Sequence, residues 1–291
     1  MSSQKNIKGI TMVKRILVGI DGSKSSWVAA DYGIYFSRKM KKPVVGIHIV
    51  DIRLLETPFI EDLAGALGFT TYMDVTPKLK EILDERGKAL LNEFAKKCRE
   101  AGADCSIAQA FGIVANELVE MADPDDLLIV GKTGIHNKFA PLFLGSTSEA
   151  VARKSKCPVM ITTDRFQEIK NILLAFDGRE KSIHAAQYLN EFAPDLGIDR
   201  ISVVTVLEEK SGEKEEHIKN LLDNYLKLEY SLEFLYGYPD EELEKYILEN
   251  KDRFHLITMG AYGESRIKEL ILGSTTSFIM NKSPIPVLLV K

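Results

Sequence analysis

Two kinds of residue cluster could do chemistry in this chain. One is an Asp-Gly pair behind an apolar run: Asp21-Gly22 after RILVGI, and Asp177-Gly178 after NILLAF. The other is a glycine loop closed by a hydroxyl pair. Gly131 and Gly134 lead to Gly145-Ser146-Thr147, and Gly260 and Gly263 lead to Gly273-Ser274-Thr275. Glycine lets a backbone bend and approach a ligand closely. A Gly-Ser-Thr helix start offers open N–H groups and the positive end of the helix dipole, which together suit a phosphate. The hydroxyl of Ser146 or Ser274 can add a hydrogen bond and cap the helix. Helix starts of this kind are common. What gives these weight is that the same two clusters occur twice, in the same order.

The elements that must hold these residues also occur twice. Apolar runs at 15–20, 43–50, 104–111, 126–131 and 157–162 read as strands, and helical spacing covers about 25–40, 77–101 and 116–122. The second half repeats the pattern with strands at 171–176, 201–207, 231–236, 255–259 and 286–290, and helices near 213–228 and 240–250. Strands alternating with helices predict βαβ units and a parallel sheet covered on both faces. A repeat of roughly 130–150 residues is the size of one domain, not of a solenoid unit. We therefore expect domains at 1–165 and 166–291 with separate cores, joined near TDRFQEIK. In such sheets ligands bind beyond the carboxyl ends of the strands, where both clusters fall.

Composition narrows the function classes. The 291 residues are 45% hydrophobic and 27% charged, with a net charge of −4, which argues against a nucleic-acid binder. No apolar stretch is long enough to span a membrane. The opening MSSQKNIKGITMVKR lacks the apolar middle of a signal peptide, so a cytoplasmic location is expected. Three cysteines, an odd number with no CxxC pair, suggest thiols rather than a disulfide and no metal site. The five histidines form no Ser-His-Asp arrangement, and no Walker loop is present. His48 reads as a polar strand-end residue.

With these motifs in hand, the chain resembles a tandem universal stress protein over about 14–291. The resemblance rests on the two Asp-Gly pairs and on the G-x2-G-x9-G-[ST] loop before the last helix and strand. It implies two copies of a five-stranded parallel-sheet, Rossmann-like domain of the adenine-nucleotide alpha-hydrolase type. It also implies a stress-response regulator that is not an enzyme and that holds ATP, or ADP or AMP, with or without Mg2+. In the C-terminal half Asp177 would face adenine and ribose, Val206 would pair with the adenine edge, and Gly260 and Gly263 would line the ribose-phosphate path. Gly273, Ser274 and Thr275 would hold the phosphates. The matching N-terminal positions are Asp21, Ile49, Gly131, Gly134, Gly145, Ser146 and Thr147. Slow hydrolysis or self-phosphorylation at Ser146 or Ser274 is left open.

The copies depart from the pattern in different ways. Ten residues separate Gly134 from Gly145, where nine separate Gly263 from Gly273, and Pro141 interrupts the longer loop. The C-terminal site is therefore expected to be the better one, although Arg179-Glu180 replaces small residues beside Asp177-Gly178. The resemblance further implies pairing of the two halves through PVMIT and PVLLV as an intramolecular pseudo-dimer, with homodimerisation beyond that. The second open reading is a nucleotide-free scaffold. It would bind a protein partner or apolar ligand through its surface and the apolar connection at 51–75.

Overall fold

The computed structural model describes residues 13–55, 72–134, 144–261 and 274–291. The first half runs β1 (Ile16–Gly19), α1 (Lys24–Met40), β2 (Val44–Asp51), a 3₁₀ turn (Ile52–Leu55), α2 (Tyr72–Ala101), β3 (Cys105–Gly112), α3 (Val114–Glu120), β4 (Leu127–Gly131), α4 (Ser146–Lys154) and β5 (Val159–Thr162). The second half runs β6 (Ile172–Ala175), α5 (Glu180–Asp195), β7 (Arg200–Leu207), α6 (Gly212–Tyr225), β8 (Glu229–Tyr236), α7 (Pro239–Glu249), β9 (Leu256–Gly260), α8 (Ser274–Lys282) and β10 (Val287–Val290). The strands fall where the apolar runs predict them. Those in the middle of the sheet, such as β5 and β10, are buried along their whole length. A strand covered on both faces reads as an unbroken apolar run, which is why these segments were legible.

Among the described residues, ten strands join one sheet in the order β3-β2-β1-β4-β5-β10-β9-β6-β7-β8. Each half contributes five parallel strands. The halves meet where β10 runs antiparallel to β5, with Leu288 opposite Met160. The expected separate cores are not found. Each face of the sheet carries one apolar cluster that runs through both halves, because the shared sheet leaves no gap between them. On one face Phe36 of α1 meets Phe192 of α5 with ring centroids 5.5 Å apart. On the other, Val151 and Ala152 of α4 share a cluster with Ile279 and Met280 of α8.

Helix α1 lies unusually close to β1. A Cβ on Gly33 would stand 2.4 Å from a Val18 methyl, so a glycine is needed for the approach that brings the start of α1 to the strand ends. Helix α2 begins at Tyr72, earlier than its apolar stripe suggests, and carries Pro77 inside. Most of the 51–75 connection, residues 56–71, lies outside the described residues.

One expectation is corrected. Cys98, near the end of α2, and Cys105, the first residue of β3, form a disulfide. The tight turn at Gly102, with φ +66°, folds the strand back on the helix. It sets the two Cα atoms 6.1 Å apart, within bridging range. Sequence spacing alone does not reveal that geometry. Cys157 is a buried free thiol. Among the described residues, no helix is long and apolar enough to cross a membrane.

Candidate functional site

The residues DGSKSS wind the chain from β1 into α1. Asp21 Oδ1 accepts the Ser23 N–H at 2.8 Å. Gly22 has φ +85°, in the left-handed region that favours glycine. Ser23 caps α1 by accepting the Ser26 N–H at 3.2 Å, and the Ser26 hydroxyl accepts the Gly22 N–H at 3.1 Å. The start of α1 then meets the end of β4. A Cβ on Gly131 would lie 2.5 Å from Ser25 Oγ and 2.8 Å from Ser26 N, so no other residue permits this contact. Ser25 donates its hydroxyl hydrogen to the Thr133 carbonyl in a short bond.

The glycine loop closes on itself. Gly145 N–H donates to the Lys132 carbonyl at 2.8 Å, and the Ser148 hydroxyl donates to the Gly131 carbonyl at 2.6 Å. The extra residue in the N-terminal loop therefore does not keep its ends apart. Residues 135–143, including Pro141, lie outside the described residues. Gly145 is the N-cap of α4, with φ −67° and ψ 143° and no side-chain cap bond. The first N–H groups of that nine-residue helix thus have no side chain from the cap laid over them.

Asp21, Ile49, Gly131, Gly134, Gly145, Ser146 and Thr147 all line one cavity of about 490 Å³. That size suits a small-molecule site. Ile49 lies near the carboxyl end of β2. Ile20 N–H donates to the Ile47 carbonyl at 2.8 Å. By the alternation of a parallel ladder the Ile49 amide and carbonyl point to the same side, where β1 has already ended. Val206 occupies the same register beyond β6, since Phe176 N–H donates to the Val204 carbonyl at 2.9 Å. His48 holds the turn before Asp21, its Nδ1 donating to the Ile20 carbonyl at 2.7 Å. Arg53 is bound to Asp51, closest at 2.5 Å, and this partner raises its pKa.

The C-terminal half keeps the scaffold but changes the charges. Gly260 is needed as Gly131 is, since a Cβ there would lie 2.5 Å from the Lys181 carbonyl carbon. Asp177 Oδ1 accepts the Arg179 N–H at 3.0 Å, and the Arg179 guanidinium stands 3.8 Å from Asp177 Oδ2. Ser274 opens α8. The Thr275 hydroxyl forms a short bond to the Asp240 carboxylate at the start of α7. The matching residue in the first half is Ala115. Gly263 and Gly273 lie outside the described residues.

Sequence reasoning passed over several lining residues. Leu83 and Arg86 come from α2, and Leu54 from the 3₁₀ turn. Only the tertiary fold brings these into the cavity, so no local pattern marks them. Ser23, Ser26, Thr133 and Ser148 had a local signal in their clustering around the glycines. Asp240 had one too, as an acid where the other copy has alanine.

Comparison with known proteins agrees with this architecture. The model of the universal stress protein family matches residues 12–163 and again 168–291. Universal stress protein Slr1230 of Synechocystis is 30% identical over 95% of this chain and 99% of its own length. Universal stress protein MJ0531 of Methanocaldococcus jannaschii is 29% identical over 53% of this chain and 84% of its own. In three dimensions the chain is similar to a universal stress protein from Archaeoglobus fulgidus, with a TM-score of 0.73, 21% identity, and coverage of 95% of this chain and 98% of that one. With a family match on each half and a full-length relative, the chain belongs to the universal stress protein family, as a tandem member.

Proposed function

We propose that this protein is a cytoplasmic regulator, not an enzyme, that binds ATP or another adenine nucleotide in the cavity of its N-terminal half. The observation that carries the reading is the convergence of the seven candidate residues of that half, from four separate segments of the chain, on one cavity of about 490 Å³. In this reading the phosphates lie at the start of α4, against Gly145, Ser146 and Thr147, where open N–H groups and the helix dipole favour an anion. Asp21 faces the ribose, Gly131 and Gly134 line the path between, and the Ile49 backbone meets the adenine edge. Any Mg2+ would arrive with the nucleotide. His48 serves the backbone of Ile20 in this arrangement and is not given a role in proton transfer.

Loop spacing alone favours the C-terminal site, and the side chains argue for the opposite order. At the C-terminal site Asp240 occupies the Thr275 hydroxyl with a carboxylate, and Glu180 is an acid in the first turn of α5, where the first half has Lys24. The Asp240 carboxylate, at the start of α8, would repel phosphate. Asp177, Val206, Gly260, Gly263, Gly273, Ser274 and Thr275 then form a second, weaker site. We take residues 1–165 and 166–291 as the two units, paired within the chain through β5 and β10, and further dimerisation belongs to the same proposal.

Acid release and quantification of nucleotide from freshly purified protein tests this. One competent helix start predicts about one equivalent per chain. No released nucleotide, and no binding of added Mg-ATP, would overturn the reading. The scaffold alternative would then stand. Its supporting observation is the group of exposed apolar residues Ile82, Ile107, Phe111 and Ile113 on α2, on the edge strand β3 and just beyond it.

A further inference from the structure

The carboxyl end of α8, in the second half, reaches the glycine loop of the first. Leu144 N–H donates to Asn281 Oδ1 at 2.9 Å. Asn281 Nδ2 donates in turn to the Ser277 carbonyl at 2.8 Å, within its own helix. At the opposite end of the same loop the Lys132 ammonium donates to the Ser283 carbonyl at 3.2 Å. The two contacts flank the bond that closes the loop, from Gly145 N–H to the Lys132 carbonyl. They are also sheltered. Leu144 is buried, and burial lowers the pKa of Lys132.

The chemistry of Asn281 suits this position. Its amide both accepts and donates, so the bond to Ser277 fixes which way its oxygen points. A helix end anchored in this way presents a fixed acceptor to the last residue before the Gly-Ser-Thr start. Leu144 N–H is a buried backbone donor that needs a partner. Holding it fixes the direction from which the chain enters Gly145 and the open amides that follow. The clamp is one-sided in its lysine arm, because Ala261 stands in the second half where Lys132 stands in the first. The adenine end of the cavity has no part in it, being built from β2 and α2 of the first half.

We infer that Asn281 is a positioning residue through which the second half orients the phosphate loop of the first, so that the first half's affinity for phosphate depends on the second. This rests on the nucleotide reading above. In it, the second half acts as a fixed support for its neighbour's site, whether or not it binds a ligand itself.

Calorimetric titration of the full chain with Mg-ATP and, separately, with adenosine tests the inference. Asn281→Ala removes the acceptor, and Asn281→Leu removes it while keeping the volume. For both variants, ATP affinity is expected to fall about fivefold, the scale of one net hydrogen bond. Adenosine affinity should stay within about twofold, because only the phosphate end is disturbed. The adenosine titration also shows that the variants are folded. Exchange of the Leu144 and Gly145 amides with deuterium should speed up in the same variants. If ATP and adenosine weaken together, or ATP affinity is unchanged, the positioning role is refuted. If the wild-type chain binds neither ligand, the nucleotide reading falls first and takes this inference with it.

Discussion

Replacing Gly134 with valine tests the N-terminal site most directly. The backbone tolerates the change, since Gly134 is not among the glycines with positive φ. Among the described residues, a Cβ built there has a single near neighbour, Asp21 Oδ2 at 3.2 Å. That carboxylate cannot easily retreat, because its other oxygen holds the Ser23 N–H at 2.8 Å. The two valine methyl groups must then share the space beside Asp21 with any ligand. Overpacking by a few methyl-sized groups costs about 1–3 kcal/mol, which corresponds to a loss of roughly 5- to 150-fold in affinity. The fold should not suffer. Removing a flexible glycine restricts the unfolded chain and contributes about 0.4–1 kcal/mol in the stabilising direction. Thermal melting of the ligand-free variant should therefore match the wild type, while titration with Mg-ATP shows the loss. A folded variant that binds Mg-ATP as tightly as the wild type would show that the nucleotide does not pass Gly134. The assignment of Asp21, Gly134 and Gly145 to one site would then fail.

Three other outcomes are expected. Asp240→Ala frees the Thr275 hydroxyl and removes an anion from the start of α8, so nucleotide binding at the second site should tighten about two- to fivefold, as charge effects at helix ends do. No change in titration would show that Asp240 does not oppose phosphate. Leu288→Asp places a carboxylate in the seam opposite Met160 and should cost about 3–5 kcal/mol in urea unfolding, from lost packing plus an unpaired buried group. Full stability would mean that the seam does not hold the halves together. Burial holds the folded Lys291 pKa at about 7 against 10.5. Between those values the unfolded chain binds the extra proton, so this group makes stability rise with pH across that window. Lys291→Met should flatten the rise, and an unchanged slope in denaturant titrations would refute the assignment.

Much of the fold was legible because its signals are local. Parallel strands are buried on both faces and show as apolar runs, and helices α1 and α2 show their stripes. The glycines at 131, 134 and 145 were legible for a similar reason, since glycine marks itself in a sequence, and Gly131 is required where the start of α1 comes close to β4. What escaped depends on residues far apart in sequence. Asn281 meets Leu144 across 137 positions, and nothing near either residue marks the pair. Asp240 reaches Thr275 from another helix. The bridge from Cys98 to Cys105 depends on the turn geometry at Gly102, which a spacing of seven does not specify. The expected advantage of the second site rests on loop spacing alone, and our opposite proposal rests on contacts of the same distant kind. A loop count describes the backbone, while a side chain such as Asp240 reaches the helix start from elsewhere in the fold.

The antiparallel pairing of β5 with β10 has a consequence for how the two halves can change. Where two identical chains pair about a twofold axis, every substitution appears on both sides at once. Covalent fusion removes that constraint. An acid at 240 faces its own helix start without imposing one on 115, and a lysine at 132 can reach across the seam while 261 remains alanine. Divergence can then proceed on one side alone, leaving one half free to specialise in a ligand and the other in holding it.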